Sequence, residues 1–504
     1  MAEFKLKSLC ILGRQPALGL AELESLYGAE HVYPVGFAAG DHSIGVQPVR
    51  GAPVESALHS TGQAALLDID AGEINFKRLG GSIKVAQVLA TLPSTDWKDI
   101  KKYLLDNVPK HLTHVPPGKP GSELSRPSRP SGREARPAYG GQRESLLPGK
   151  FTLGLSFYGL AVPAAEINKL GISIKRASDR PMRVVPNKSA ALNSAQVLHN
   201  KLTSKGAWEL LLVKNGQETI LAQTFFVQDI EAYGARDQAR PRRDARVGML
   251  PPKLAQIIIN LAVGPIERKV LHDARLDGAP GDNEQRSKPY NQYGERAAQL
   301  STQRSAKSTD RVAGSASQQV GASRIRVLDP FCGTGVILQE AALMGYHVLG
   351  SDIDSRMVEY TKENLAWLVK QNPQIEVQVS VEIADATNTT WPRFSVVASE
   401  IYLGRPLNNL PPREKLQLII NDVNTITKKF LLNIGAQTKP GQKMCLAVPA
   451  WKKPDGGFIY LPVLDKLTDM GYNYLDLKHV PRDELLYYRE DQVVARQLII
   501  IAKR

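Results

Sequence analysis

Val327-Leu328-Asp329-Pro330-Phe331-Cys332-Gly333-Thr334-Gly335 is the stretch whose reading decides the fold. Apolar residues 325–328 form an expected strand. Asp329-Pro330 ends it, a tight glycine turn follows, and residues 336–344 carry helical spacing. Glycines in such a turn let a ligand come close to the backbone where a Cβ would collide. Strand, turn and helix in this order put the turn at the carboxyl end of a strand, where doubly wound sheets bind ligands. No Lys-Ser/Thr follows, so the turn is not a phosphate-binding P-loop. Position 338 is Leu, so the third glycine of a dinucleotide fingerprint is missing.

Reading outward, strands are expected at 347–351, 377–383, 395–398 and 444–448. Helices are expected at 336–344, 356–368, 413–431 and 464–470. Such alternation predicts a mainly parallel sheet flanked by helices. Residues 484–502 read as a late hairpin closing it, and 249–261 as a helix with Pro251-Pro252 in its first turn. Upstream, strands at 6–12, 151–160, 182–185, 208–213 and 220–227 mix with helices at 18–26, 164–172 and 192–202. A Lys-Asn-Gly turn joins the last two strands as a hairpin. This half is α+β and carries no catalytic signature of its own.

Residues 116–143 hold six prolines and five arginines, and 271–324 are rich in Ser, Gln, Arg, Ala and Gly without a period. Neither buries enough surface to offset its ordering entropy, so disordered insertions are expected at 113–148 and 271–324. The chain has 504 residues, 42% hydrophobic residues and a formal charge of +14, which suits several cores and a polyanionic partner. Three widely spaced cysteines suggest neither a disulfide framework nor a metal site. No apolar run approaches the roughly 18 residues of a membrane span, and the N-terminus lacks a signal-peptide core. A cytoplasmic protein without membrane attachment is expected.

The second strand runs into Asp352-Ile353-Asp354. An acid about 20 residues past the glycine turn is placed to bind ribose hydroxyls, which favours Asp352 and leaves Asp354 to cap the next helix. The free N–H groups of the helix opened by Pro252 and Lys253 favour an anion. Arg236, Arg240, Arg242 and Arg243 fall within eight residues and read as a phosphate grip, although Asp237 and Asp244 could pair with some of them.

Asp-Pro-Phe-x-Gly-Thr/Ser-Gly resembles motif I of the S-adenosylmethionine methyltransferases that modify amino nitrogens of nucleic-acid bases. Arg236-Asp-x-x-Arg-Pro-x-Arg-Asp244, then Gly248-Met-Leu-Pro-Pro-Lys-Leu-Ala255, narrows the likeness. So does Gly13-Arg-Gln-Pro-Ala-Leu-Gly-Leu-Ala-Glu-Leu-Glu24. Together they resemble the THUMP-domain tRNA guanosine-N2 methyltransferases, the group acting at tRNA position 10, over most of the chain outside the two insertions. Phe76-Lys-Arg-Leu-Gly-Gly-Ser-Ile-Lys84 sits where that family's THUMP region begins.

The resemblance implies a ferredoxin-like element at 1–60, a THUMP-like RNA-binding domain at 61–232 and a Rossmann-fold methyltransferase domain at 233–504. It implies S-adenosylmethionine as cosubstrate, tRNA as partner and, as in eukaryotic members, a small activator protein. On this reading Asp329, Phe331, Gly333, Gly335, Asp352 and Asp385 surround the cosubstrate. Asp385 accepts from the adenine amine, and Pro252 and Lys253 open a helix that suits the methionine carboxylate. The fourth strand ends in Ser399-Glu400-Ile401-Tyr402-Leu403-Gly404, where such enzymes carry Asp/Asn-Pro-Pro-Tyr/Phe. Glu400 takes the acidic position as recipient of the target amine, and Tyr402 offers a ring to stack on the base. Because both prolines are missing, rRNA guanine, an adenine or cytosine amine, and a catalytically lapsed RNA-binding protein stay open.

Overall fold

The parallel-sheet pattern and the α+β half are both present in the computed structural model, which describes residues 6–36, 64–113, 150–244, 249–265, 325–407, 409–454 and 456–504. The expected insertions lie outside these residues, apart from residue 113, which ends a helix, and so does the expected boundary at residue 60.

The first sheet contains β1 (Ser8–Leu12), β2 (Val32–Val35), β3 (Ala64–Leu67), β4 (Ser82–Leu92), β5 (Phe151–Tyr158), β6 (Met182–Val184), β7 (Ala207–Asn215) and β8 (Glu218–Val227). Their order is β2-β3-β1-β4-β8-β7-β5-β6. Helices α1 (Pro16–Tyr27), α2 (Trp97–Thr113), α3 (Ala164–Ala177) and α4 (Ser194–His199) connect them. β1 pairs with both β3 and β4, so the residues expected as a separate N-terminal element share one continuous sheet with those expected as THUMP-like. The predicted β7–β8 hairpin closes with Asn215 opposite Glu218 and a glycine at positive φ, Gly216. In the middle of the sheet the buried Lys84 pairs with Glu209, which also accepts from Ser156 and Thr224 at 2.6 Å each. A charge is tolerated there because neighbouring strands, together with the Leu192 carbonyl at 2.8 Å from Lys84, supply its partners.

The second half adds α5 (Ile230–Gln238), α6 (Pro252–Val263), α7 (Val336–Leu343), α8 (Ser355–Gln371) and α9 (Arg413–Gly435). Its strands are β9 (Arg326–Asp329), β10 (His347–Asp352), β11 (Val379–Ile383), β12 (Val396–Glu400), β13 (Lys443–Lys452), β14 (Phe458–Ile459), β15 (Tyr472–Tyr474), β16 (Leu486–Tyr487) and β17 (Val494–Lys503). The order is β11-β10-β9-β12-β13-β17-β15. The run from β11 to β13 is parallel, while β17 is antiparallel to β13 and β15 is antiparallel to β17. β13 is buried almost throughout because helices cover one face and other elements the other, which is why it reads as a near-continuous apolar run. The chain leaves β9 toward β10 and β11, then returns to place β12 on the other side. That reversal opens a crevice at the carboxyl ends of β9 and β12.

One expected helix differs. Residues 464–470 do not form an α-helix. A 3-10 turn spans Pro462–Lys466, and Gly471 at positive φ reverses the chain into β15. Pro462 and the early Gly471 leave too little length for an α-helix to repay its costly nucleus.

α6 joins the two halves. It packs on α7 and β13 on one side and on α1 on the other. Asn260 of α6 donates to Glu22 at 2.7 Å and to the Arg78 carbonyl at 2.8 Å. Glu22 accepts the Gly80 and Gly81 N–H groups at 2.9 Å each. Beside it, Glu24 accepts the His479 N–H at 2.9 Å, and Arg78 meets the Tyr346 hydroxyl.

Candidate active site

A cavity of about 900 Å³ opens at the strand reversal. That volume lies in the range of small-molecule sites and leaves room for more than one ligand moiety. Asp329, Phe331, Gly333, Asp352, Asp385, Glu400 and Tyr402 line it, so seven of the residues singled out from sequence meet in one place.

The glycine turn is held from three directions. The Gly333 N–H donates to Asp352 Oδ2 at 2.9 Å. Thr361 of α8 donates to the Gly333 carbonyl at 2.7 Å, and Asn364 donates to the Thr334 carbonyl at 2.9 Å. Gly333 has φ +51°, and a Cβ there would meet no atom within 4 Å. Gly335 has φ +82° and does not line the cavity, and a Cβ there would stand 2.7 Å from Thr361 Cγ2. The two glycines therefore differ in use. Gly333 keeps backbone open to the cavity, whereas Gly335 lets α7 start close against α8.

Asp352 Oδ1 accepts the Asp354 N–H at 2.9 Å, which stiffens the strand end, and its burial pushes the carboxyl up. Asp354 accepts the Arg356 N–H at 2.9 Å and is the cap of α8. Asp385 accepts the Thr387 N–H and hydroxyl at 2.8 Å each, closing its own turn while facing the cavity. Asp329 is 2% exposed and accepts the Ser399 hydroxyl at 2.6 Å. Burial first, then Asp352 and Glu400, push its carboxyl up to about 7.

Glu400 ends β12 and is ion-paired with Arg496 of β17. Burial pushes its carboxyl up and Arg496 opposes the shift. Arg496 hydrogen-bonds one oxygen of Glu400. The same carboxylate has lone pairs left for a further donor. Tyr402 is half-buried, packed against the core cluster under β12 and α9.

Two groups of expected residues fall elsewhere. Pro252 is buried at the start of α6, and Lys253 donates to Gln228 and lies over the Tyr233 ring at 5.2 Å. The cavity takes Met249 and Leu250 from the segment before that helix instead. The four arginines do not form one cationic face. Arg236 donates to the buried Glu340 at 2.8 Å, and Arg240 is 4% exposed against Asp237 and Met249. Arg242 holds Glu363 with a fork of 2.7 and 3.2 Å. Arg243 is exposed and, among the described residues, has no ion pair. Asp244 lines the cavity and pairs with Arg356 at 3.5 Å. The carboxylates that neutralise Arg236 and Arg242 come from α7 and α8, far away in sequence, while Arg240 has the neighbouring Asp237.

Sequence reasoning missed Thr361 and Asn364. Both are buried polar residues on the apolar stripe of α8, beside Met357, Val358, Leu365 and Leu368. Polar residues breaking such a stripe were the available signal. It also missed the wall supplied by α9, where Asp422, Thr425, Ile426 and Lys429 line the cavity.

Among the described residues no cluster of His, Cys, Asp and Glu could hold a metal ion, and no helix is long and apolar enough to cross a membrane.

Residues 322–456 match a family model described as a methyltransferase domain. A stretch of 40 residues is 72% identical to the tRNA (guanine(10)-N2)-dimethyltransferase of Methanothermobacter thermautotrophicus, covering 8% of this chain and 12% of that protein. A stretch of 60 residues is 43% identical to the enzyme of the same name in Pyrococcus abyssi, covering 12% of this chain and 18% of that protein. The alignments thus span well under a quarter of these curated relatives. The crystal structure of TrmN from Thermus thermophilus aligns over 99% of this chain and 100% of that chain, at 14% identity and a TM-score of 0.43. The fold of the C-terminal half rests on its own strand order rather than on that likeness.

Proposed function

We propose that the protein is an S-adenosylmethionine-dependent methyltransferase that modifies the exocyclic N2 amine of a guanosine in tRNA. The observation that carries this reading is the single cavity in which the glycine turn, Asp352, Glu400 and Tyr402 meet. The methyltransferase family match and the short stretches of high identity to tRNA (guanine(10)-N2)-dimethyltransferases support it. The +14 charge suits a polyanionic substrate. The N-terminal sheet is the natural tRNA grip on this reading, as the resemblance to THUMP proteins implies, and Arg243 is the arginine of its cluster left to meet a phosphate.

The residues present fit the cosubstrate. The open space over Gly333 gives it a bare backbone to lie against. The Asp352 carboxylate, already fixed by two backbone N–H groups, keeps lone pairs for ribose hydroxyls. When bound, S-adenosylmethionine supplies an electrophilic methyl group. Everything else falls to the protein. The guanine amine is a poor nucleophile because its lone pair is delocalised into the ring. Holding it in line supplies much of the rate. The Tyr402 ring stacks on the base, and the free oxygen of Glu400 accepts an amine N–H and then the departing proton. Arg496 keeps that carboxylate in place.

The same ion pair favours a second reading, in which Glu400 is purely structural and the protein binds RNA without modifying it. Mass spectrometry of nucleosides decides between them. tRNA incubated with the protein and S-adenosylmethionine should gain N2-methylguanosine. Glu400→Gln keeps the shape and should slow single-turnover methylation about 10²-fold or more, with cosubstrate affinity nearly unchanged. A wild-type rate in that variant removes Glu400 from the chemistry. No methyl transfer to any RNA by the wild type makes the non-catalytic reading the better one.

A further inference from the structure

The acids around the cavity are unequally occupied. Asp329 accepts from Ser399, Asp352 and Asp385 hold backbone N–H groups, and Asp354 caps α8. Asp244 pairs with Arg356 and Glu400 with Arg496. Asp422 differs. It sits on the face of α9 that carries Thr425, Ile426 and Lys429 into the cavity, and its residue is exposed. Among the described residues its carboxylate has no hydrogen-bond or ion-pair partner. It lines the same cavity as Tyr402, and after burial it is the main influence pushing that phenol up, with Arg405 opposing. An uncommitted carboxylate therefore faces the same cavity as the ring assigned to the target base.

A carboxylate can only accept hydrogen bonds. The Watson–Crick edge of guanine offers two adjacent donors, N1–H and one N2–H, which fit a carboxylate in bidentate fashion. Adenine at N1 and cytosine at N3 present lone pairs there, which a carboxylate repels. Resting on the reading of the site as a guanine-amine methyltransferase, we propose that Asp422 is the residue that selects guanine. It accepts N1–H and one N2–H, and Glu400 accepts the other N2–H. The two acids then share the amine, one reading the base and the other taking the proton.

The test uses a full-length tRNA whose methylated position has been mapped with the wild-type protein. That position is rebuilt with guanosine or with 2-aminopurine riboside. The analogue keeps the amine but has a lone pair in place of N1–H. The wild type should prefer guanine by about 10²-fold or more in kcat/KM, because the analogue sets a lone pair against the Asp422 carboxylate. Asp422→Asn offers one donor and one acceptor. It should lose about 10- to 100-fold on guanine and gain on 2-aminopurine, so the preference narrows or reverses. Asp422→Ala should lose guanine activity without that gain. Both variants should bind S-adenosylmethionine as the wild type does by calorimetry and melt at the same temperature. A folded Asp422→Asn with the wild-type base preference overturns the assignment while leaving the methyltransferase reading intact. A wild type that methylates no guanine in RNA overturns the functional reading first, and this assignment with it.

Discussion

At the scale of single residues, the site depends on carboxylates that do two things at once. Asp352 holds the glycine turn through the Gly333 N–H and also faces the cavity. Removing its side chain should cost cosubstrate binding on both counts, because a ribose hydroxyl loses its acceptor and the turn loses a fixed point. Asp352→Ala should weaken S-adenosylmethionine binding by about 1–3 kcal/mol, roughly 10- to 100-fold in Kd. Isothermal calorimetry on a variant with an unchanged melting profile checks this. Unchanged affinity would take Asp352 out of the site. Pairing of this kind also explains why the arginine cluster could not be read from sequence. Arg236, Arg240 and Arg242 look cationic as a string. Glu340 and Glu363, about a hundred residues downstream, neutralise Arg236 and Arg242, and Asp237 lies beside Arg240.

At the scale of elements, the parallel sheet was legible because each strand is a short apolar run followed by a periodic helix. The turn after β9 was legible because only a few residue types suit it. β2 and β3 were not, since Val32–Val35 and Ala64–Leu67 are short strands with no turn signal that links them. α2 was hidden by Pro109 inside it, and α5 by Gly234 and its three charged residues. The α9 wall looked like any solvated helix face, because nothing in an amphipathic pattern says which polar residues meet a cavity. The two glycines of the turn give an element-scale prediction. Gly335→Ala forces a Cβ into Thr361 at a left-handed φ and should lower stability by about 1–3 kcal/mol. Gly333→Ala has space for its Cβ, but that space belongs to the cavity. It should therefore lower cosubstrate affinity more than stability. Denaturant melts and calorimetry on both variants separate the two effects. Equal behaviour of the pair would refute the division of labour.

At the scale of the whole molecule, the N-terminal sheet and the C-terminal half are joined through a buried acid. Glu22 is fully buried and accepts three hydrogen bonds, from Gly80, Gly81 and Asn260. Those donors and Arg78 favour the carboxylate, but burial outweighs them and raises its pKa from 4.5 to about 7. A carboxyl with a raised folded pKa binds more protons in the folded state than in the unfolded one. Its contribution is fully present below pH 4.5 and is lost as pH rises through about 7. Asp329, also raised to about 7, has the same sign. The joint should therefore loosen toward alkaline pH, by on the order of 1–3 kcal/mol from Glu22 alone. Glu22→Gln removes the titration but sets an amide NH2 against a backbone N–H, because its one oxygen cannot serve both glycines. The variant should be less stable than wild type at pH 5.5 by about 1–3 kcal/mol, with a shallower fall between pH 5.5 and 8. Chemical denaturation across that range measures both quantities. A wild type whose stability rises with pH through 7, or a variant with an unchanged slope, would show that Glu22 is held as a carboxylate by its three donors.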